Sequence, residues 1–489
     1  MNKTSSRYSF SHYFYNTQTY IGVVLSLVVF LVELLLFCFD YFSQGLNIYL
    51  GIITYVILPP FLILGLILIP WGAFRKKRLI SKGLTTISPR KFTLDFSLAS
   101  HRNGMVVFIF GSICLIVMTT IGSYKAYKYT ESVSFCGLTC HQVMSPQHTA
   151  YLNSPHAKVK CIDCHVGEGA NWYIHYKLAG VRQMYHFMKG DYPRPIPTPV
   201  EGLRPAAETC EHCHWTEKFY NTVEIDRSYY SAESDAESAR KWLIRMLVHV
   251  GKNNDKGTGI HAHMYLDHDI YYAAEDKERQ NISWVKSVAK DGTSTIFTTE
   301  DSKFKDTPPG ENTIRKMDCI DCHNRPTHHF NPPYLLINRA LTQNEISAQI
   351  PEIKAKLMEV LSAEYTTQQQ ASDEIRQKLT EFYGKNYAEY YNTHKADIEK
   401  AIEKTIALFN VNFFPEMKTR WDNRPDNIGH FWSPGCFRCH DGNHASDSGK
   451  VITKDCTVCH TILEQGPVGA IQSSTAGLEF VHPFDDSVT

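Results

Sequence analysis

Twelve of the chain's 14 cysteines fall in six close pairs, and histidine follows each pair directly. Five pairs have the strict form Cys-x-x-Cys-His: Cys161–Cys164–His165, Cys210–Cys213–His214, Cys319–Cys322–His323, Cys436–Cys439–His440 and Cys456–Cys459–His460. The first, Cys136–Cys140–His141, carries one extra spacer residue. Residue frequencies alone give roughly 0.02 chance copies of such a motif, so the recurrence reflects chemistry. Zinc sites combine Cys-x-x-Cys pairs but do not require His after every second Cys. Disulfides suit an extracytoplasmic compartment and do not need the His either. Covalent haem needs all three residues: two thiols add across the two vinyl groups, and the adjacent imidazole ligates the iron. The sequence therefore predicts six covalently attached haem c groups.

Each iron needs a second axial ligand. Of the 23 histidines, 15 lie outside both the six motifs and the apolar N-terminal part that holds His12 and His101. His261, His263 and His268 cluster in "GIHAHMYLDHD", and His328 and His329 follow the fourth motif. His430 and His444 flank the fifth motif, and His482 lies near the end. Set opposite six irons, at least five of these are expected to ligate. Paired imidazoles would make low-potential centres, and a methionine ligand would raise the potential.

Residues 20–42, 49–72 and 105–122 read as spanning helices, each near the ~20 apolar residues that cross a bilayer core. The first follows Lys3 and Arg7 like a signal peptide, but it is long and lacks a small-residue cleavage motif, which favours a retained anchor. Cys38 and Cys114 lie in these runs as small apolar residues. The connector "FRKKRLISKGLTTISPRKFTLDFSLASHR" holds eight Lys or Arg against one Asp, which assigns it to the cytoplasm. The N-terminus is then cytoplasmic, and everything after about 123 is periplasmic, across a bacterial inner membrane. Glu33 within the first run reads equally as a functional carboxylate or as a residue near the helix end or in an inter-helix contact.

The expected fold is mainly α: a three-helix transmembrane anchor (1–129), then a multihaem region with little regular sheet. Residues 130–225 carry three motifs, and 226–345 hold a His-rich stretch, a hairpin turning at Asp291-Gly292 and the fourth motif. Residues 346–425 form a helical spacer, with apolar stripes at Ile353, Leu357, Val360 and Leu361, at Ile375, Leu379, Phe382 and Tyr383, and at Ile398, Ile402 and Phe409. Residues 426–489 carry the last two motifs. Lys+Arg and Asp+Glu balance at 50 each, so no global charge points to nucleic acid. No phosphate-binding glycine motif and no Ser/His/Asp order suggests phosphoryl transfer or hydrolysis.

The stretch "CGLTCHQVMSPQHTAYLNSPHAKVKCIDCHVGEGANWYIHYKLAG", together with "CIDCHNRPTH", resembles the NapC/NirT family of membrane-anchored multihaem quinol dehydrogenases, which includes NrfH. With three spans and six motifs, the layout is similar to inner-membrane cytochromes of the ImcH type from metal-respiring bacteria, usually described with seven haems. The resemblance implies that Met144 or His141 ligates the first iron. It also implies that His156 serves the fourth iron, that His328 returns to the second, and that Lys177 contacts quinol. A family Asp near that Lys has no match; Arg182, Gln183 and Met184 occupy its neighbourhood. The chemistry agrees: a quinol yields two electrons and two protons, each haem takes one electron, and a polar group must orient the quinol hydroxyl. Lys177, beside Trp172 and Tyr176, could be that group or a lysine snorkelling at an interface. The expected activity is quinol:cytochrome c oxidoreduction in anaerobic or extracellular respiration. The expected partners are menaquinol or another quinol, membrane lipid, and periplasmic c-type cytochromes or a reductase subunit. Two alternatives are an anchoring electron-transfer subunit of a separate periplasmic reductase and a terminal reductase with an open haem.

Overall fold

The computed structural model describes residues 13–42, 53–82, 96–97, 99–139, 141–166, 170–200, 205–215, 222–232, 241–251, 259–261 and 268–483. The chain divides into two compact units, Met1–Thr139 and Cys140–Thr489.

In the first unit, α1 (Thr17–Phe42) packs along α2 (Leu58–Ser81), and α3 (Ala99–Thr130) follows. The first two are long and apolar enough to cross a membrane, over Thr17–Cys38 and Leu58–Ser81. The expected second span, 49–72, is displaced: its α-helix begins at Leu58, after a π-helical turn at Ile53–Ile57. Pro59 and Pro60 explain the shift, because proline is accommodated in a helix's first turn, where its missing N–H is no loss. The helix α3 contains the predicted run 105–122 and extends past both ends of it. Small residues let the first pair approach closely. A Cβ added to Gly22 would lie 2.7 Å from the Gly65 carbonyl oxygen, and one at Gly65 would strike Ser26 Oγ. Thr19 Oγ1 donates to the Ile69 carbonyl at 3.2 Å across the same seam. Small-residue seams are how helices associate where no hydrophobic driving force separates them from lipid. Gly65→Leu should therefore cost about 1–3 kcal/mol by overpacking. Thermal unfolding of the detergent-solubilised protein would read this, with Gly122→Leu, where an added Cβ meets nothing within 4 Å, as the silent comparison.

The second unit is built around a helical core. Its helices α4 (Pro333–Thr342), α5 (Ile353–Ser362), α6 (Gln368–Asn386) and α7 (Lys395–Asn412) bury Ile353, Leu357, Val360, Leu361, Ile375, Leu379, Tyr383, Ile398, Ile402 and Phe409 together. Phe382 of the second predicted stripe packs at the margin of this cluster.

The expectation of little regular sheet is corrected by two four-stranded antiparallel sheets among the described residues. One has the order β1 (Thr222–Tyr230), β2 (Lys241–His249), β7 (His460–Pro467), β8 (Gln472–Leu478). The other has the order β5 (Ser294–Thr298), β4 (Ile282–Ala289), β3 (His268–Ala274), β6 (Arg315–Lys316). In the second, β4 and β5 form the hairpin turning at Asp291-Gly292, closed by Ala289 N–H donating to Thr293 O at 2.8 Å. The first sheet escapes local pattern because β2 pairs with β7 from the far end of the chain, in the register Val248–His460. Its register brings the sixth motif's histidine onto a strand.

Candidate haem centres

Three of the strict motifs close as one tight turn. The His214 N–H donates to Cys210 O at 2.8 Å, His323 N–H to Cys319 O at 2.8 Å and His440 N–H to Cys436 O at 3.0 Å. Closure from the histidine to the first cysteine, four residues back, puts both thiols and the imidazole on one turn. Aspartates start several of these turns. In the two Cys-Ile-Asp-Cys copies, the third residue reaches back to the N-cap amide: Asp163 accepts from Lys160 N–H at 3.1 Å and Asp321 from Asp318 N–H at 2.7 Å. A side-chain acceptor there satisfies an amide that the helix leaves without a partner. Asp455 does the same for Thr457 N–H at 2.9 Å.

Four motif histidines face a second histidine from elsewhere in the chain. The ring centres lie 6.0 Å apart for His156–His214, 6.3 Å for His165–His328, 6.1 Å for His261–His323 and 6.3 Å for His430–His460. An imidazole nitrogen sits about 2 Å from a ligated metal and roughly 1.1 Å from its ring centre, so two imidazoles on opposite sides of one metal have centres roughly 6.3 Å apart. The four separations match that spacing, and the donor set fits haem at the second, third, fourth and sixth motifs.

The opposing rings are held as metal ligands usually are, through the nitrogen that faces away. His156 Nδ1 lies 3.1 Å from Pro326 O, His261 Nδ1 2.8 Å from Val250 O and His328 Nδ1 3.1 Å from Gln147 O. Each Nδ1–H donating to its carbonyl leaves Nε2 as the lone-pair atom. Burial, with His165 adjacent, pushes the His328 imidazole down to about 4. Burial also lowers His165, His323, His430 and His460. The neutral ring is the form a metal binds.

The placement differs from the sequence reading at His156 and His444. His156, expected across from the fourth motif, stands opposite His214 of the third. His430 stands opposite His460 of the sixth motif, although it precedes the fifth. His444 does not present a ligand: its side chain is 1 % exposed, with Nδ1 2.9 Å from an Asp441 carboxylate oxygen and Nε2 3.0 Å from Ile282 O. Both nitrogens lie within hydrogen-bonding distance of protein oxygen atoms, so neither is turned to an open coordination position. His329 Nδ1 likewise binds Asp426 at 2.8 Å, and His482 packs edge-on against Phe480. His440 Nδ1 donates to Thr453 O at 2.8 Å. Cys140, His263 and the side chain of His141 lie outside the described residues. Cys136 is on the short helix Val133–Leu138, capped by Ser132 Oγ, which accepts from Phe135 N–H at 3.0 Å. Met144 is half-buried on the helix His141–Leu152.

Hydrogen bonds join the third motif to the fourth and the fourth to the fifth. Ala206 N–H, which opens the third motif's helix, donates to Asp318 Oδ2 at 2.8 Å beside the fourth. Arg438, inside the fifth motif, donates to the Asp321 carbonyl inside the fourth. Arg438, Asp321 and Phe437 escaped the sequence reading. For Asp321, the signal was there: the same Asp stands at the same place in two motifs.

Lys177 is half-buried on the helix Ala170–Lys189, beside Tyr176, whose ring meets His175 edge-on at 5.7 Å. The exposed residues Leu178, Val181, Tyr185 and Met188 recur at helical spacing on that helix. Arg182, Gln183 and Met184 are exposed as well.

A family model described as the NapC/NirT cytochrome c family, N-terminal region, matches residues 99–195. The cytochrome c-type protein ImcH of Geobacter sulfurreducens is 36% identical over 473 residues, covering 97% of this chain and 92% of that protein. No solved structure matches. Membrane-length helices, repeated Cys-Cys-His turns and opposed imidazole pairs agree with that kinship: residues 99–195 carry a NapC/NirT-type region, and the chain belongs with ImcH to a family of membrane-anchored, multihaem c-type cytochromes that transfer electrons.

Proposed function

We propose that this chain oxidises menaquinol or a related quinol at the inner membrane and delivers the electrons, by way of six covalent haems, to periplasmic cytochromes or a reductase subunit. Haem, when bound, supplies reversible one-electron chemistry at each Cys-Cys-His site. The reading rests above all on four opposed imidazole pairs in a chain that also carries two membrane-length helices. The helix α3 would be a third span, with the N-terminus cytoplasmic and the motif-bearing part periplasmic. Hydrogen bonds that join the third motif to the fourth and the fourth to the fifth support electron transfer along the chain of sites. His444, with both nitrogens engaged, serves packing rather than ligation.

Lys177 would orient the quinol by donating from its ammonium group to a hydroxyl oxygen. Its helix supports this role, because the exposed Leu178, Val181, Tyr185 and Met188 form the kind of apolar face that lies in a lipid interface. The test is reduction of the haems by a menaquinol analogue, using protein reconstituted in lipid vesicles and followed by absorbance. The expected result is reduction by quinol, slowed by about tenfold or more in Lys177→Ala, since a hydrogen bond to a charged group contributes about 1.5–3 kcal/mol. Haems that stay oxidised in the presence of excess quinol would overturn the proposal.

A further inference from the structure

The fifth motif holds more than its own centre. Its first spacer residue, Phe437, lies face to face on His430, with ring centres 4.2 Å apart and planes 16° from parallel. His430 is the ring opposite His460 of the sixth motif. A second link is made by the backbone. Cys436 N–H donates to Gly429 O at 2.8 Å, closing the loop Gly429–Gly435 that carries His430. Gly435 has φ +51°, and a Cβ there would overlap the Gly429 carbonyl, so the closure requires glycine.

His430 also differs from the other three opposing rings. His156, His261 and His328 are each fixed by Nδ1 on a backbone carbonyl of another residue. Among the described residues, no such carbonyl from another residue is bonded to His430. The flat Phe437 face occupies one side of its ring instead, and Phe431 stacks nearby at 6.5 Å. Parallel stacking constrains ring rotation through contact area and ring quadrupoles, as a hydrogen bond constrains it through direction.

We infer that Phe437 is a positioning residue for the sixth haem's axial ligand, so that assembly of the fifth site sets the ligand geometry of the sixth. This rests on the ligand assignment of His430 made above. It makes the two C-terminal centres one mechanical unit: the segment that clamps one haem also orients the histidine of the next.

The experiment compares electron paramagnetic resonance spectra and stepwise redox titrations of the full-length, haem-loaded protein and four variants. Phe437→Ala and Phe437→Leu should each alter the g values and the midpoint of one low-spin centre and leave the other centres as they are. Leucine keeps apolar volume without a π face, so it covers the case in which alanine fails to fold. Phe437→Tyr should restore the wild-type spectrum. His430→Ala should convert that same centre to high spin. If His430→Ala gives the high-spin signal while both Phe437→Ala and Phe437→Leu match wild type, the positioning role is wrong and the ligand assignment stands. If His430→Ala leaves every centre low-spin, the assignment itself fails, and the positioning role with it.

Discussion

Replacing His328 with alanine is expected to turn one low-spin haem high-spin and to shift its reduction potential by on the order of 0.1 V, within the ~0.8 V span that axial ligands command. The ring lies 6.3 Å from that of His165, the spacing two imidazoles take on opposite sides of one metal. Its Nδ1 is turned towards the Gln147 carbonyl and its pKa is held near 4, so the ring is neutral and Nε2 carries the lone pair. Removing it strips one axial position and leaves the Gln147 carbonyl without its donor. His328→Met tests the same site in a graded way, since a thioether ligand raises the potential without emptying the position. The matched control is His444→Ala. His444 is buried, with both nitrogens on protein acceptors, so its loss should cost about 1–3 kcal/mol in stability from unsatisfied groups. Every centre should keep its spin state. A high-spin signal in His444→Ala, or its absence in His328→Ala, would reverse these roles. Resonance Raman or paramagnetic resonance of the oxidised proteins reads both.

What the sequence disclosed and what it withheld divide along contact range. The six motifs are local, and the attachment chemistry that explains them needs only five or six adjacent residues. The hairpin at Asp291-Gly292 and the stripes Ile353–Leu361 and Ile398–Phe409 are local too, because turn chemistry and helical periodicity are set within a dozen residues. The opposing histidines are another matter. His156 meets His214 across the third motif's turn, and His328 reaches back past two motifs to His165. Nothing about His156's neighbours in sequence names His214, whereas the family resemblance around "CIDCHNRPTH" did imply the second motif for His328, and the two rings stand opposite each other. Proximity in sequence even misleads: His430 and His444 bracket the fifth motif, yet one faces the sixth and the other is sealed between Asp441 and Ile282. The first sheet was hidden for the same reason, since β2 finds β7 only after the whole helical core has intervened. The displaced start of the second apolar helix was legible in principle, because Pro59-Pro60 marks a first turn more sharply than hydropathy marks a span.

The largest loss of stability is expected at Asp321, the third residue of the Cys-Ile-Asp-Cys spacer in the fourth motif. Its carboxylate is 1 % exposed and accepts from Arg315 Nε at 2.9 Å and from the Tyr272 hydroxyl at 2.7 Å, and it pairs with Arg279 at 3.5 Å. It also caps its own turn through Asp318 N–H, while its carbonyl takes donors from Arg438 and from Asn427 at 3.1 Å. One residue therefore ties the sheet strands β3 and β6, the fourth motif and the fifth motif together. Burial, reinforced by the Asp321 carboxylate, pushes the Tyr272 phenol upward, so that hydroxyl remains a donor. Asp321→Ala leaves two guanidinium groups facing a vacated acceptor, a change that costs about 3–5 kcal/mol when the pair is fully buried. Arg315 and Arg279 are each about a third exposed. Water can recover part of their solvation, which places the expected cost near 3 kcal/mol, the lower end of that range. Asp321→Asn keeps the shape and the turn cap but loses the charge, and should fall between alanine and wild type. Denaturant unfolding followed by circular dichroism measures the three. A cost below 1 kcal/mol in Asp321→Ala would mean that the charged cluster is peripheral and that the two motifs are joined mainly by the apolar packing around them.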